Sequence, residues 1–330
     1  MLYIESRGTN PYTNLALEQF VFDTLGKEHD CFMLRQNHNS IIVGKHQNTQ
    51  AEINASFVKE NNISVARRLS GGGAVYHDLG NLNFTFITAV ENKKGIDFSV
   101  FCAHIQEALF SLGIPVEISG RNDMTVEGKK FSGNAQYIKE GRVMHHGTIL
   151  YDSDLVVLSG ALKPGDDKIE SRGIKSLRSR VTNIRPYMKT DMSIDEFWIA
   201  LRDFMIAALK MREFTLSPEH YAAVEQLAEK VYSQWSWNYG SSPPYTLRKE
   251  RRIPGCGKIE ILLDIGQEGI IKNINFYGDF FSSKDPSELG RSLIAHHHES
   301  DELKSVLADI DVSQHFHNLT SGDFLSLLFQ

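Results

Sequence analysis

Three short stretches of the chain carry the residue types that chemistry on an anion requires. Arg67–Asn81 reads RRLSGGGAVYHDLGN, so two arginines precede three consecutive glycines and a histidine follows them. Lys129–Gly133 joins two lysines to a small-residue turn, and Met144–Tyr151 places two histidines beside a glycine. Glycine loses more backbone freedom on folding than any other residue, so a triplet indicates a positive φ or the close approach of another molecule.

The glycine triplet, Gly71–Gly73, does not fit the familiar phosphate loops. No lysine follows it as a Walker loop requires, and Tyr76 stands where the dinucleotide fingerprint needs its last glycine. What remains is a glycine-rich turn between two strands. Its successive amides could form a nest for an anion, and its bare backbone could admit a flat ligand. A tight hairpin with solvated arginines is the alternative that this stretch alone leaves open.

The histidines do not indicate a metal site. His145 and His146 are adjacent on a predicted strand, so their side chains point to opposite faces and cannot easily share one ion. We take His146 as the one that faces a pocket. The triplet His296–His298 is predicted on the solvated face of a helix. His104 and Glu107 share a helix face but lack further ligands.

The composition is that of an ordinary globular protein. The 330 residues suggest about two domains, and the net charge of -6 argues against a dedicated nucleic-acid binder. No apolar run reaches the roughly 18 residues that span a membrane, and no secretory pattern stands at the N-terminus. Three scattered cysteines, Cys31, Cys102 and Cys256, indicate neither disulfides nor zinc. We therefore expect a cytoplasmic protein without a nucleic-acid or membrane partner. A monomer is a separate expectation that does not follow from the composition.

Helices and strands must position these three stretches. Along the sequence, the predicted helices and strands do not follow a regular βαβ order, which favours an α+β fold. Leu82–Phe86 alternates apolar with polar residues, as a half-buried strand does. Asn10 is a plausible N-cap for the first helix, which should end before Gly26. Gly240–Pro244 is the best candidate linker and divides the chain into 1–243 and 244–330. The predicted helices are Pro11–Leu25, Asp97–Leu112, Asp195–Met211 and Ala222–Trp235.

Taken together, and in this order, the motifs resemble the lipoate-protein ligase family, part of the biotin/lipoate ligase group. The matching pieces are RRLSGGGAVYHDLGN, GRNDMTVEGKKFSGNAQ, HHGTIL and GIKSLRSRVTNI. The resemblance covers nearly the whole chain. It implies an α+β catalytic domain with mixed, largely antiparallel sheets flanked by helices, followed by a small α+β accessory domain.

The resemblance also implies a two-step reaction. Lipoate and ATP give bound lipoyl-AMP and pyrophosphate, and the acyl group then passes to a lysine of a lipoyl carrier domain. The carriers implied are the E2 subunits of 2-oxoacid dehydrogenases and the H protein of glycine cleavage. A carboxylate must approach a phosphate in the first step, so fixed cations and oriented amides are required where charge accumulates.

Family positions can be carried over residue by residue. Lys130 matches the lysine that holds the carboxylate and phosphate oxygens, and it is our candidate catalytic residue. Lys129 fits a surface lysine in a hairpin better. The residues implied to bind lipoate or lipoyl-AMP are Arg68, Ser70, Gly71, Gly72, Gly73, His77, Asn81, Lys130, Gly133, His146, Gly147 and Thr148.

Phosphate and magnesium ligands are expected near these positions. Lys163, Arg178 and Arg180 could neutralise phosphate or meet an acidic carrier domain, or they could be a solvated basic loop. Asp123, next to Asn122, could hold Mg²⁺ because that ion prefers oxygen ligands. An Asx turn is the structural alternative for Asp123.

Other functions remain open at this stage. An acyltransferase of the same fold would move lipoyl or octanoyl groups between carrier proteins, and its thioester type requires a thiol nucleophile. None of the cysteines lies in a matched motif, which favours adenylation. A non-catalytic lipoate-binding protein is the alternative from another class. A biotin ligase is disfavoured because its arginine-glycine signature is absent.

Overall fold

The computed structural model describes residues 1–90, 97–119, 122–162, 180–239, 246–266 and 269–329. The strands in these ranges are Leu2–Glu5 (β1), Cys31–Arg35 (β2), Ser40–Val43 (β3), Ser64–Arg67 (β4), Val75–His77 (β5), Asn81–Ala89 (β6), Val116–Ser119 (β7), Asp123–Val126 (β8), Lys129–Lys139 (β9), Arg142–Leu150 (β10), Arg212–Glu213 (β11), Leu247–Ile253 (β12), Gly257–Ile265 (β13) and Ile271–Gly278 (β14).

The helices lie mainly before, between and after these strands. They are Pro11–Asp23 (α1), Leu25–Glu28 (α2), Thr49–Glu52 (α3), Ala55–Glu60 (α4), Ser99–Ser111 (α5), Leu155–Ala161 (α6), Ile194–Ala208 (α7), Pro218–Leu227 (α8), Trp235–Asn238 (α9), Pro286–Leu293 (α10), Ser300–Val306 (α11), Val312–His315 (α12) and Ser321–Phe329 (α13). A 3₁₀ turn covers Arg185–Tyr187, and α8 continues as a π-helical turn over Ala228–Tyr232. No helix among the described residues is long and apolar enough to cross a membrane.

A large mixed sheet forms the centre of the molecule, with the strand order β11-β1-β2-β6-β10-β9-β8-β7. β1 runs parallel to β2 and β11, and the other neighbours are antiparallel. The α+β prediction with largely antiparallel sheets is confirmed. The prediction that β6 is half-buried is wrong, because Asn81–Ile87 are buried on both faces. Polar residues line one of these faces, which is the floor of a cavity rather than a solvated surface.

Local signals place the start of the first helix correctly, but its end and the start of a later helix differ from the prediction. The Asn10 side chain caps α1 by accepting from the amides of Tyr12 and Thr13, as predicted. Gly26 does not end this helix, since α1 stops at Asp23 and Gly26 lies inside the short α2. The helix predicted from Ala222 begins four residues earlier at Pro218 in the structure, because Ser217 supplies the N-cap and a proline suits the first turn.

A second sheet, in the order β4-β3-β5, holds both ends of the glycine stretch. β3 is parallel to β4 and antiparallel to β5. The loop between β4 and β5 is therefore fixed at both ends, on the two strands that flank β3. A hydrogen bond from the Lys45 amide to the Ser70 carbonyl oxygen, 2.8 Å long, also holds the first part of this loop. This is the glycine-rich turn between two strands that the sequence predicts.

The C-terminal residues form a separate hydrophobic core around the sheet β12-β13-β14. The proposed division at 243/244 lies outside the described residues. Phe281, just beyond β14, is buried in the core of the larger part, where its ring lies 5.1 Å from that of Phe98. His296–His298 lie in a turn between α10 and α11 and not in a helix as predicted. His296 and His297 both contact Glu302 there.

Candidate functional site

A cavity of about 130 Å³ lies between the large sheet, the small sheet and α1. This is well above the roughly 15 Å³ that a single buried water requires, so the cavity can hold a ligand. Its lining is Leu15 and Glu18 of α1, Arg35 of β2, Asn37, Ile42 of β3, Arg68, Gly72, Gly73, Ala74, Val75 and His77 around the glycine stretch, Asn83 of β6, Asn122, Lys130, Gly133, Asn134 and Ala135 near and on β9, and His146, Gly147 and Thr148 of β10.

The three glycines of the loop serve different purposes. Gly72 has φ +87°, a left-handed conformation that side chains disfavour. A Cβ on Gly71 would lie 2.2 Å from the carbonyl oxygen of Phe280, so the C-terminal unit packs directly on this backbone. Gly73 has no other atom within 4 Å of a built Cβ and leaves its side of the cavity open.

One amide of the expected anion nest is already hydrogen-bonded within the protein. The amide of Gly72 donates to the carbonyl oxygen of Phe280 at 3.2 Å, so the middle amide of the triplet already has a partner. A nest needs successive amides that point at the anion. The described geometry therefore shows a loop held at Gly72 by the C-terminal residues, and an anion nest at Gly71–Gly73 stays a prediction.

The two arginines before the triplet fasten the loop from inside. Arg68 is buried, and its guanidinium donates to the carbonyl oxygens of Ile42, Gly71 and Gly73 and to Ser70 Oγ. Arg67 likewise donates to backbone carbonyls, among them those of residues 44, 45, 47, 237 and 238. Burial lowers the pKa of both guanidinium groups to about 10. These cations define the loop, and the solvated-arginine alternative is excluded for both.

Lys130 supplies the cation at the more exposed end of the cavity, which we call the outer end. Its Nζ lies 2.7 Å from Asp123 Oδ1, and each side chain is more than a third exposed. A Cβ on Gly133 would lie 3.1 Å from the same Nζ, so the ammonium group sits over this glycine. The Lys130 amide donates to the Arg180 carbonyl at 2.8 Å and fixes the backbone there.

A chain of hydrogen bonds links the glycine stretch to the sheet floor. Ser70 Oγ lies 2.6 Å from His146 Nε2, and His146 Nδ1 lies 2.9 Å from Glu18 Oε1. Since Arg68 Nε donates to Ser70 Oγ at 3.0 Å, the Ser70 hydroxyl can donate to His146 Nε2, which leaves the His146 proton on Nδ1 facing Glu18. The arrangement orients the imidazole toward the cavity wall.

Glu18 and Arg35 form a buried ion pair beneath this chain. Their closest atoms, Arg35 Nη2 and Glu18 Oε1, are 2.5 Å apart, and both side chains are at most 3% exposed. Thr85 Oγ1 accepts from the same Nη2 and donates to the same Oε1. Although burial opposes ionisation, Arg35 and His146 hold the pKa of the Glu18 carboxyl well below its usual range. The cavity therefore has an ionised but balanced wall.

Most of the residues implied by the family resemblance meet in this one cavity. The predicted residues in its lining are Arg68, Gly72, Gly73, His77, Lys130, Gly133, His146, Gly147 and Thr148. Ser70, Gly71 and Asn81 lie outside the lining as supporting residues, and Arg180 is exposed beside Lys130. Lys163 and Arg178 lie outside the described residues. The roles assigned to these residues remain predictions.

Sequence reasoning missed the inner wall of the cavity. Glu18 lies within the predicted first helix, and Asn83 is on the polar side of the alternating Leu82–Phe86 segment. Neither pattern indicates that these residues and Arg35 line a cavity, as the structure shows. One signal could have found them, because a glutamate on the apolar stripe of a helix and an arginine in a β-rich run are buried charges that need partners.

Neither the cysteines nor a metal cluster offers another chemistry here. Among the described residues, no cysteine lines the cavity, and burial raises the pKa of the Cys31 and Cys102 thiols to about 12. Both thiols are therefore protonated at neutral pH and poor nucleophiles. Within the same ranges, no three His, Cys, Asp or Glu residues lie together as a ready-made metal site. His145, on the opposite face from His146, is buried among aromatic rings.

Comparisons with known proteins agree on one family. Residues 10–205 match the model of the lipoyl protein ligase A/B catalytic domain, and residues 242–328 match that of the bacterial lipoate protein ligase C-terminus. The chain is 40% identical to a lipoate-protein ligase of Bacillus subtilis, LplJ, over the full length of both.

Solved structures show the same fold. The Plasmodium falciparum protein LipL1 in complex with lipoate superposes with a TM-score of 0.79 at 22% identity, covering 99% of this chain and 97% of that one. A lipoate-protein ligase A bound with ATP superposes with a TM-score of 0.60 at 29% identity, covering 72% of this chain and 98% of that one.

Proposed function

The chain belongs to the lipoate-protein ligase family, and we propose that it joins free lipoate to a lysine of lipoyl carrier domains with ATP, through lipoyl-AMP. The observation that carries this proposal is the position of Lys130, a cation over a bare glycine at the outer end of a cavity whose inner wall is charge-balanced. A carboxylate in the cavity can reach this cation while its hydrocarbon chain lies deeper.

The first step joins two acids that repel each other. The Lys130 ammonium group can contact the carboxylate of lipoate and the α-phosphate of ATP together, which lowers their repulsion and stabilises the charge that develops as they join. The carboxylate oxygen attacks the α-phosphorus, the bond to the β-phosphate oxygen breaks, and pyrophosphate leaves. The resulting mixed anhydride lies beside Lys130 at the outer end, while the hydrocarbon chain of the acid lies in the buried inner end.

The second step transfers the acyl group to an amine. A neutral carrier lysine attacks the acyl carbon, AMP leaves, and the amide forms. We propose the E2 subunits of 2-oxoacid dehydrogenases and the glycine-cleavage H protein as carriers, and a monomeric cytoplasmic enzyme. Lys163 and Arg178 remain candidates for meeting the carrier or the phosphates, together with Arg180.

Magnesium fits the outer end. The Asp123 carboxylate, a hard oxygen ligand, is more than a third exposed beside Lys130, and Asn122 lines the cavity next to it. Mg²⁺ typically takes one or two carboxylates together with substrate phosphates and neutralises phosphate charge when bound. Asp123→Asn should raise the Mg²⁺ concentration needed for half-maximal activity, with Asp191→Asn as the control, an exposed aspartate paired with Arg185. An unchanged requirement would remove Asp123 as a ligand.

The proposed reaction can be tested directly by mass spectrometry. Purified E2 lipoyl domain and H protein are each incubated with the enzyme, free lipoate and Mg-ATP. We expect one lipoyl mass to be added only when ATP is present, with AMP and pyrophosphate as products. Transfer from an acylated carrier without ATP, abolished by Cys102→Ser, would instead establish the thioester alternative. Binding of lipoate without any product would establish a non-catalytic protein.

A further inference from the structure

The inner end of the cavity contains buried polar atoms without partners. Among the described residues, Arg35 Nε, His77 Nε2 and Asn83 Nδ2 are buried and have no hydrogen-bond partner. The three residues are at most 6% exposed, and all three line the cavity. A buried polar group without a partner costs about 1–3 kcal/mol, so a cluster of three at one place indicates a missing ligand.

The strand register shows that two of these groups share one face of the large sheet. Arg35 of β2 is the direct cross-strand partner of Asn83 of β6, and Asn83 is the partner of Thr148 of β10. Thr148 Oγ1 in turn accepts from the amide of Gly133 on β9. Directly opposed residues project from the same face of a sheet. Arg35 and Asn83 thus stand in one row that ends under Lys130.

This row also sets the distance between the two ends of the cavity. From β9, where Lys130 lies over Gly133, to β2, where Arg35 lies, there are three interstrand spacings, or about 14 Å. A medium-length acid that places its carboxylate on Lys130 therefore extends its far carbons toward Arg35. The unpartnered atoms meet the tail of the chain and not its carboxylate.

The hydrogen bonds around His77 show that its unpartnered atom, Nε2, is a donor. Asn14 Nδ2 shares its two protons among three oxygens, the backbone oxygens of Gly8 and Gln36 and Asn37 Oδ1, so the oxygen of the Asn37 amide and not its NH2 group faces Asn14. Asn37 Nδ2 consequently donates to His77 Nδ1 at 3.0 Å. Because burial lowers the pKa of His77 to about 3, the ring is neutral and carries its single proton on Nε2.

The other two unpartnered atoms are donors as well. Arg35 Nε–H is a donor by its chemistry, and its guanidinium uses Nη1 on the Asn14 carbonyl and Nη2 on Glu18 and Thr85. In the described orientation Asn83 Oδ1 accepts from Asn81 Nδ2 at 2.9 Å, which leaves, among the described residues, Asn83 Nδ2 without a partner in the cavity and Asn81 Oδ1 without one outside its lining. The inner end therefore presents three N–H donors, and a ligand there must supply hydrogen-bond acceptors.

The charge balance decides which kind of acceptor fits. Arg35 is already paired with Glu18 at 2.5 Å, and the guanidinium of Arg68 is occupied by carbonyl oxygens and Ser70 Oγ, so the described groups still free at the inner end are N–H dipoles. A second carboxylate would be a buried, uncompensated anion there, which is very costly. A neutral sulfur or oxygen atom supplies lone pairs at no such cost.

We propose that Arg35, His77 and Asn83 form a specificity subsite that favours acids with a hydrogen-bond-accepting sulfur or oxygen near the far end of the chain over plain alkyl acids of equal length. The proposal rests on the proposed function for the identity of the acid. A dithiolane ring presents sulfur lone pairs to the three N–H groups, whereas the methyl end of octanoate leaves them unpaired or must share the space with water.

The test compares three probes: lipoate, octanoate and 8-hydroxyoctanoate. Dissociation constants are measured by calorimetry, and ATP–pyrophosphate exchange is measured in parallel, for the wild type, Asn83→Leu and His77→Phe. Tyr76→Phe is the control, because Tyr76 is adjacent to His77 on β5 but lies outside the lining, and its hydroxyl contacts only Asn39 among the described hydrogen bonds. Circular dichroism checks that each variant is folded.

In the wild type and in the control, lipoate and 8-hydroxyoctanoate should bind about tenfold more tightly than octanoate. In each subsite variant this ratio should fall toward one, mainly because octanoate binds better against an apolar wall. An unchanged ratio in the folded variants would overturn the subsite and indicate that the donors hold water only. If exchange fails with every acid while the calorimetric ratio collapses as expected, the proposed reaction is wrong and the subsite stands.

Discussion

Replacement of Lys130 by alanine should abolish adenylation while leaving the fold intact. The Lys130 ammonium group lies 2.7 Å from Asp123 and directly over Gly133, where the proposed mechanism brings the carboxylate and the α-phosphate together. Removing a preorganised group that stabilises developing charge costs about 3 kcal/mol. At about 1.4 kcal/mol per factor of ten, this corresponds to a loss of roughly 150-fold in kcat/KM.

The same substitution should barely change stability. Both members of the Lys130–Asp123 pair are more than a third exposed, and such pairs contribute at most about 1 kcal/mol. The free energy of unfolding, measured with urea, should therefore stay within about 1 kcal/mol of the wild type. Rate and stability are separated in this way, so a fold defect cannot be mistaken for a catalytic one.

The assay is lipoate-dependent ATP–pyrophosphate exchange, with Lys129→Ala as the matched control. Lys129 is exposed, adjacent in sequence and outside the cavity lining, so its removal should leave the exchange rate unchanged. Lys130→Arg keeps the charge but moves its centre, and it should recover only part of the rate. Exchange within threefold of the wild type in folded Lys130→Ala would refute the role of this cation.

Three further expectations concern the walls of the cavity. Burial holds the pKa of His77 at about 3 in the folded state, whereas the unfolded value is 6.5, so unfolding takes up a proton below pH 6.5 and the free energy of unfolding falls as the pH drops. His77 should contribute about 2 kcal/mol to the loss between pH 7 and pH 5, and His77→Gln should remove this contribution in urea titrations. An equal loss of stability in the variant would contradict this. Glu18→Leu should cost about 3–5 kcal/mol by leaving Arg35 buried and unpaired, and Arg35→Met in the same chain should recover much of it in thermal melts; no recovery would argue against a coupled pair. Gly71→Ala should lower the free energy of unfolding by about 1–3 kcal/mol, since its Cβ would lie 2.2 Å from the Phe280 carbonyl oxygen. If urea unfolding shows that the variant is as stable as the wild type, the backbone at Phe280 moves away without cost and this reasoning is refuted.

Local chemistry made the outer end of the cavity predictable. Glycines, a capping asparagine and a lysine beside a small-residue turn act through the backbone of their own segment, so their positions can be deduced from a few neighbouring residues. Alternation along β10 likewise separates His145 from His146 without any knowledge of the fold. The α+β class follows from the order of helical and extended segments.

The inner end of the cavity depended on which strands became neighbours. Arg35 and Asn83 are 48 residues apart and oppose each other only because β2 pairs with β6 in one register. Glu18 comes from a helix that packs over this face, and its charge acquires a partner only there. An alternating strand has the same pattern whether its polar face meets water or a cavity, since periodicity reports orientation and not what covers a surface. The sequence alone thus determined the glycine turn and a lysine beside a small-residue turn, while tertiary packing decided which polar groups were buried with their hydrogen bonds still unmade.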